Sequence, residues 1–184
     1  MTFVSGGNEL LSPLKILKKL GVERGSKVAD LGCGGAGHFI IPAAYLAGGS
    51  TIVYAVDIMK SVLKNVASKA RIEGINNIRS VWSDLEIRGA TNIPEASLDF
   101  ALLVNTLFQS QKHKAMLEES YRLLVEDGRL LVVDWIKKEM PFGPPLEARV
   151  GKNEIQTLAK EVGFNFIEEF KPGEYHFGLI FEKP

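Results

Sequence analysis

Four glycines, Gly32, Gly34, Gly35 and Gly37, crowd into six positions directly after the apolar run Val28-Ala-Asp-Leu31. Glycine is required where a chain must turn sharply, take up positive φ and let a ligand approach its backbone closely. Carboxylates punctuate the same region. Asp30 lies two residues before the first glycine, and Asp57 closes the next apolar run, twenty residues beyond Gly37. An acid at that spacing can accept hydrogen bonds from both hydroxyls of a ribose. Asp84 follows the third apolar run in Ser83-Asp84-Leu85, placed either to accept from an adenine amino group or to cap a turn. Turn and acids together describe a nucleotide site.

A G-x-G-x-x-G loop would also suit a dinucleotide, and three features argue for a different ligand. Asp30 sits inside a strand, where a carboxylate favours a ligand carrying ammonium and sulfonium charges over a pyrophosphate. Asp84 supplies a further acid after the third strand. The chain also ends in two strand-like runs, Phe164–Lys171 and His176–Lys183, joined only by Pro172-Gly-Glu-Tyr175, and so short a link forces an antiparallel hairpin.

These residues need a scaffold, and its pattern is regular. Val28–Leu31, Thr51–Val56, Ile78–Trp82, Leu98–Val104 and Arg129–Trp135 are short and apolar, as in parallel strands covered on both faces. Helical spacing fills the gaps: Phe39–Leu46, about 15 residues after Met59, Met116 through Val125, and Asn153–Val162. Gly128 is expected to stop the third of these helices. The prediction is an α/β fold with one doubly wound, Rossmann-like, seven-stranded sheet, mostly parallel with an antiparallel C-terminal hairpin. Residues 1–184 form a single domain, with a helical cap at 1–26 and a substrate-side loop at 137–150.

Over nearly its whole length the sequence resembles the class I S-adenosylmethionine-dependent methyltransferases, in particular their type 11 and ubiquinone/menaquinone-biosynthesis-like members. Val28–Gly37 resembles the glycine-rich first motif, Val53-Tyr-Ala-Val-Asp57 the second, and Ser83-Asp84-Leu85 the third. Leu102-Leu-Val-Asn105-Thr-Leu-Phe108 is similar to the fourth, and Arg122 through Val133 to the stretch leading into the fifth strand. The resemblance implies S-adenosyl-L-methionine as cofactor and S-adenosyl-L-homocysteine as product. It implies that Asp30, Gly32, Cys33, Gly34 and Gly37 line the methionyl and ribose portions, with Cys33 present for its small size. Asp57 would hold the ribose, Ile58 and Met59 would pack on adenine, and Ser83, Asp84 and Leu85 would stand at the adenine amino group. Asn105 and Thr106 would approach the methionyl end.

Displacement at a sulfonium is in-line with a neutral leaving group, so alignment and exclusion of water matter most. A base is needed only where the acceptor must shed a proton. Asp134 and His113, near strand edges, are the candidates, although His113 also lies in a polar run that reads as a solvated face. His38 could touch ligand or face solvent, and His176 reads as a satisfied structural histidine. No set of His, Cys, Asp and Glu at ligand spacing indicates a metal. Phe3, Phe108, Trp135, Met140 and Phe142 form either an apolar lid over the methyl group or a cap on the sheet edge.

Composition narrows the rest. Apolar residues make up 46% of the 184 positions, and 22 basic residues balance 22 acidic ones, which argues against a dedicated nucleic-acid binder. The lone Cys33 allows no internal disulfide. The opening Met1-Thr-Phe-Val lacks a basic-then-apolar leader, and no apolar run nears the roughly 18–20 residues that span a bilayer. A cytoplasmic protein without membrane association is expected, with a homodimer left open. No Asn-Pro-Pro-Tyr-type segment follows strand four, which argues against methylation of base or amide nitrogens. A small-molecule acceptor is favoured, ahead of protein or RNA, a non-catalytic cofactor-binding module, and a dinucleotide enzyme.

Overall fold

The computed structural model describes residues 10–184. Seven strands form one sheet in the order β3-β2-β1-β4-β5-β7-β6. They are β1 (Val28–Leu31), β2 (Val53–Asp57), β3 (Ile78–Trp82), β4 (Leu98–Val104), β5 (Leu124–Trp135), β6 (Asn165–Gly173) and β7 (His176–Glu182). Strands β1 to β5 run parallel, whereas β7 inserts antiparallel between β5 and β6. The order reverses between β1 and β4, and at such a switch point open α/β sheets hold their ligands, beyond the carboxyl ends of the strands.

Helices cover both faces. α1 (Pro13–Leu20), α2 (Ile40–Ala47) and α3 (Lys60–Ile72) pack on one face around Val28, Val53, Leu102 and Leu131. α4 (His113–Leu123) and α5 (Lys152–Val162) pack on the other around Leu31, Leu103, Leu130 and Leu179. Burial on both faces explains why β1, with all of its residues buried, shows no polar alternation.

Several boundaries differ from the sequence expectation, β5 starting at Leu124 and not Arg129 among them, and at the end of α4 and the start of β2 the physical reason is plain. The helix before Gly128 stops at Leu123, because Leu124 adopts extended geometry and pairs with Leu98 of β4. The chain reverses instead at Asp127, which has φ of 60°, and Gly128 is needed because a Cβ there would lie 2.8 Å from the Val125 carbonyl. Strand β2 begins at Val53, not Thr51, and runs through Asp57, which places that carboxylate on the last rung beside Trp82. Of the expected cap at 1–26, α1 is present; Phe3 lies outside the described residues.

Candidate active site

The glycine loop is shaped by the strands that flank it. Gly32 and Cys33 both donate backbone N–H to the Val56 carbonyl, at 2.8 and 3.0 Å, so the chain leaves β1 still attached to β2. Gly32 has φ of 88°, and a Cβ on it would lie 2.5 Å from Thr106 Cγ2. Thr106 in turn donates its hydroxyl to the carbonyls of Leu31 and Val104. Its hydroxyl is thus used to lock β1 against β4, and its methyl fills the place a side chain at 32 would take. Gly34 is different: it also has positive φ, 62°, but a Cβ there would meet nothing within 4 Å. Open space in front of a left-handed glycine is what close approach of a ligand requires.

Asp57 faces the same loop. One carboxylate oxygen accepts from the Gly34 N–H at 3.3 Å and the other from Met59 N–H at 2.9 Å. The carboxylate is therefore oriented by main-chain donors, and each oxygen keeps lone-pair capacity for a further donor. Ile58 and Met59 follow it at 56% and 57% exposure, an unusual pairing for apolar side chains at the end of a buried strand. Ser83 donates its N–H to the Asp57 carbonyl at 3.2 Å and shares a buried hydroxyl contact of 2.9 Å with Thr91. Asp84 accepts from Glu86 N–H at 2.9 Å in a turn cap, and Leu85 is buried in the core on the α4–α5 side.

Asp30 is buried beneath the first turn of α2, where it accepts from the Ile40 backbone. Burial, with repulsion from Asp57, raises its pKa to about 7, and that single backbone hydrogen bond only partly opposes the rise. Cys33 is buried between the two acids, and burial with both negative charges pushes its thiol well above the usual range. That environment rules out an activated thiolate.

The two proposed bases occupy different settings. Asp134 is fully buried at the end of β5 and accepts N–H groups from Leu107, Phe108 and Trp135 at 3.1, 3.3 and 2.8 Å. Burial raises its carboxyl to about 7 against the lowering effect of these donors and of nearby His113. It clamps the turn after β4. His113 is not on a solvated face: its side chain is only 11% exposed, and Nδ1 lies 2.9 Å from Glu154 Oε1 across the α4–α5 seam. Helices following β4 and β5 begin at the ligand edge of the sheet, so this pair lies at that edge.

The fold also fixes the setting of further groups, Asn105 and His176 already read from the sequence and Glu119, Arg122 and Arg149 not. Asn105 holds a left-handed φ of 53°, with its N–H on the Val133 carbonyl and its own carbonyl bound by Gln109. Buried Glu119 and half-buried Arg122 form a pair that binds the backbone of Gly89, Thr91 and Ile93, securing the loop after β3. The i, i+3 spacing was visible in the sequence; the loop it holds was not. Arg149, buried without an acidic partner among the described residues, donates to the carbonyls of Phe142, Pro144, Ile136 and Lys138 and stacks on Trp135. It cinches the loop at 137–150 and with it the edge-to-face contact of Phe142 on Tyr175. His176 is structural, stacked 4.4 Å from Trp135. It is not satisfied, since neither ring nitrogen has a hydrogen-bond partner among the described residues, and burial drops its pKa to about 4.

Residues 29–132 match the family of methyltransferase domains, type 11. The chain belongs to that family. A SAM-dependent methyltransferase from Aquifex aeolicus is 25% identical, with a TM-score of 0.85, over 94% of this chain and 90% of its own. A protein designated a type 11 methyltransferase from Sulfolobus solfataricus is 28% identical, with a TM-score of 0.77, over 95% and 93%. The [4+2]-cyclase SpnF shares the fold at 14% identity, with a TM-score of 0.76, over 93% and 83%. No curated protein is similar enough in sequence to match. Among the described residues no helix is long and apolar enough to cross a membrane.

Proposed function

We propose that this methyltransferase uses S-adenosyl-L-methionine to methylate a small-molecule acceptor, working in the cytoplasm. The observation that carries the assignment is the crevice itself: open space before Gly34, an oriented carboxylate at Asp57, and a buried Asp30 with no cation among the groups that set its pKa. An anionic site without a counterion among the described residues suits a cationic ligand and disfavours a pyrophosphate. The exposed pair Ile58 and Met59 supplies the apolar platform an adenine ring would cover.

S-adenosyl-L-methionine, when bound, supplies a methyl group activated on sulfonium. The chain's own residues then bind and orient. Asp57 would take the ribose hydroxyls, and Asp30 would face the positive methionyl end. Asn105 and Thr106 would shape the floor between them, Thr106 by holding Gly32 in place. Asp84 would lie toward the adenine amino group. The loop at 137–150, preformed by Arg149, would wall the acceptor side with Met140 and Phe142 and exclude water, as alignment-limited chemistry requires. For an acceptor that must lose a proton, His113 oriented by Glu154 is the assisting base, while Asp134 positions the turn beside it.

The balanced charge of 22 basic and 22 acidic residues favours a small acceptor over nucleic acid. A labelled-methyl transfer assay against metabolite pools, peptides and RNA tests this. Label in small molecules alone is the expected result; label in peptide or RNA would redirect the acceptor class. Tight cofactor binding with no transfer to any pool would mark a non-catalytic module.

A further inference from the structure

Trp82 closes β3 as the register partner of Asp57 on β2. It is 55% exposed, yet it is not idle: its indole N–H donates to the carbonyl of Ile58 at 2.8 Å. The Lys60 ammonium lies 5.4 Å from the ring centroid, which anchors the first residue of α3 to the same side chain. The turn Asp57-Ile58-Met59 is thus held from several directions. Met59 N–H binds the Asp57 carboxylate, the Met59 carbonyl accepts from Leu63 N–H, and the Ile58 carbonyl is fixed by Trp82. Only the last of these bonds comes from outside the turn and its helix.

We propose that Trp82 is a positioning residue for the adenosyl end of the cofactor, its indole N–H fixing the Ile58 carbonyl and so the platform on which the adenine rests. The proposal depends on the adenosyl pocket assigned above. An apolar platform contributes to affinity only where its side chains are already set, because ordering them on binding costs conformational entropy. Trp82 sets them through the backbone, and the same bond keeps Met59 N–H aligned with the carboxylate that would receive the ribose.

The test uses the full chain, ¹⁵N-labelled, with S-adenosylhomocysteine and 5′-methylthioadenosine as probes. Trp82→Phe keeps a ring for Lys60 and removes the donor. It is expected to weaken both probes by the same factor, roughly three- to tenfold, as the cost of ordering one platform side chain on binding implies. The thermal midpoint should fall by no more than a few degrees, the cost of one hydrogen bond at a half-exposed side chain. In the wild type, the indole N–H resonance that Trp82→Phe deletes should shift on saturation with S-adenosylhomocysteine. A merely structural role would lower the midpoint and leave the affinities alone. Affinities within twofold of wild type, weakening of S-adenosylhomocysteine only, or an unmoved resonance would each overturn the proposal. Should the variant fail to fold, the wild-type resonance decides. Wild-type protein that binds neither probe would refute the pocket itself, a different failure from a pocket that ignores Trp82.

Discussion

Asp30 is the residue whose chemistry is most exposed to test. Its buried carboxyl titrates near 7 instead of the ordinary 3.8, because burial and Asp57 outweigh the Ile40 N–H. With the folded value raised, the stability this group contributes is complete below about 3.8 and is lost as pH rises through about 7. A cationic ligand reverses the balance by favouring the ionised form, so binding must expel a proton. Affinity for S-adenosylmethionine is therefore expected to rise between about pH 6 and 8, and calorimetry in buffers of different ionisation enthalpy should detect the released proton. Asp30→Asn should flatten both. An unchanged pH slope in that variant would remove Asp30 from the ligand's neighbourhood.

At the scale of elements, the loop between β3 and β4 is held from α4. Burial alone would raise the Glu119 carboxyl, but Arg122 and the N–H groups of Gly89 and Thr91 dominate and hold it at about 2, below the ordinary 4.5. Its stabilisation is thus present above about 4.5 and lost as pH falls toward 2. Glu119→Ala strands the guanidinium of Arg122 and is expected to cost about 3 kcal/mol in denaturant unfolding near neutral pH. The loss relative to wild type should shrink in acid. The elements themselves were largely legible: the short runs read as β1, β3 and β4 have the bounds of those strands. The end of α4 was not, because Leu124 is a good helix former captured by pairing with Leu98, a contact between residues far apart in sequence. Likewise His113 reads as solvated beside lysines, and only the packing of α4 on α5 buries it against Glu154. Arg149 carries no sequence signal, since its partners are main-chain carbonyls.

The whole molecule brings the ends of β1, β2 and β4 to one edge of a single sheet, with helices on both faces and the hairpin β6–β7 closing one side. Glycines and acids that are distant in the chain meet there because parallel strands present all their carboxyl ends together. That is why the crevice was readable as a set of motifs, and the loop at 137–150 as an irregular stretch, whereas the main-chain bonds by which Arg149 holds that loop were not. SpnF, a cyclase on the same fold, shows that the scaffold alone does not dictate the reaction. The adenosyl crevice is the claim on which the rest depends, and calorimetric titration of the wild type with S-adenosylhomocysteine and with NAD tests it most directly. Binding of S-adenosylhomocysteine alone is expected, weakened by roughly 1–3 kcal/mol in Asp57→Ala through the lost ribose hydrogen bonds. Binding of NAD in its place, or an affinity for S-adenosylhomocysteine indifferent to Asp57→Ala, would contradict it.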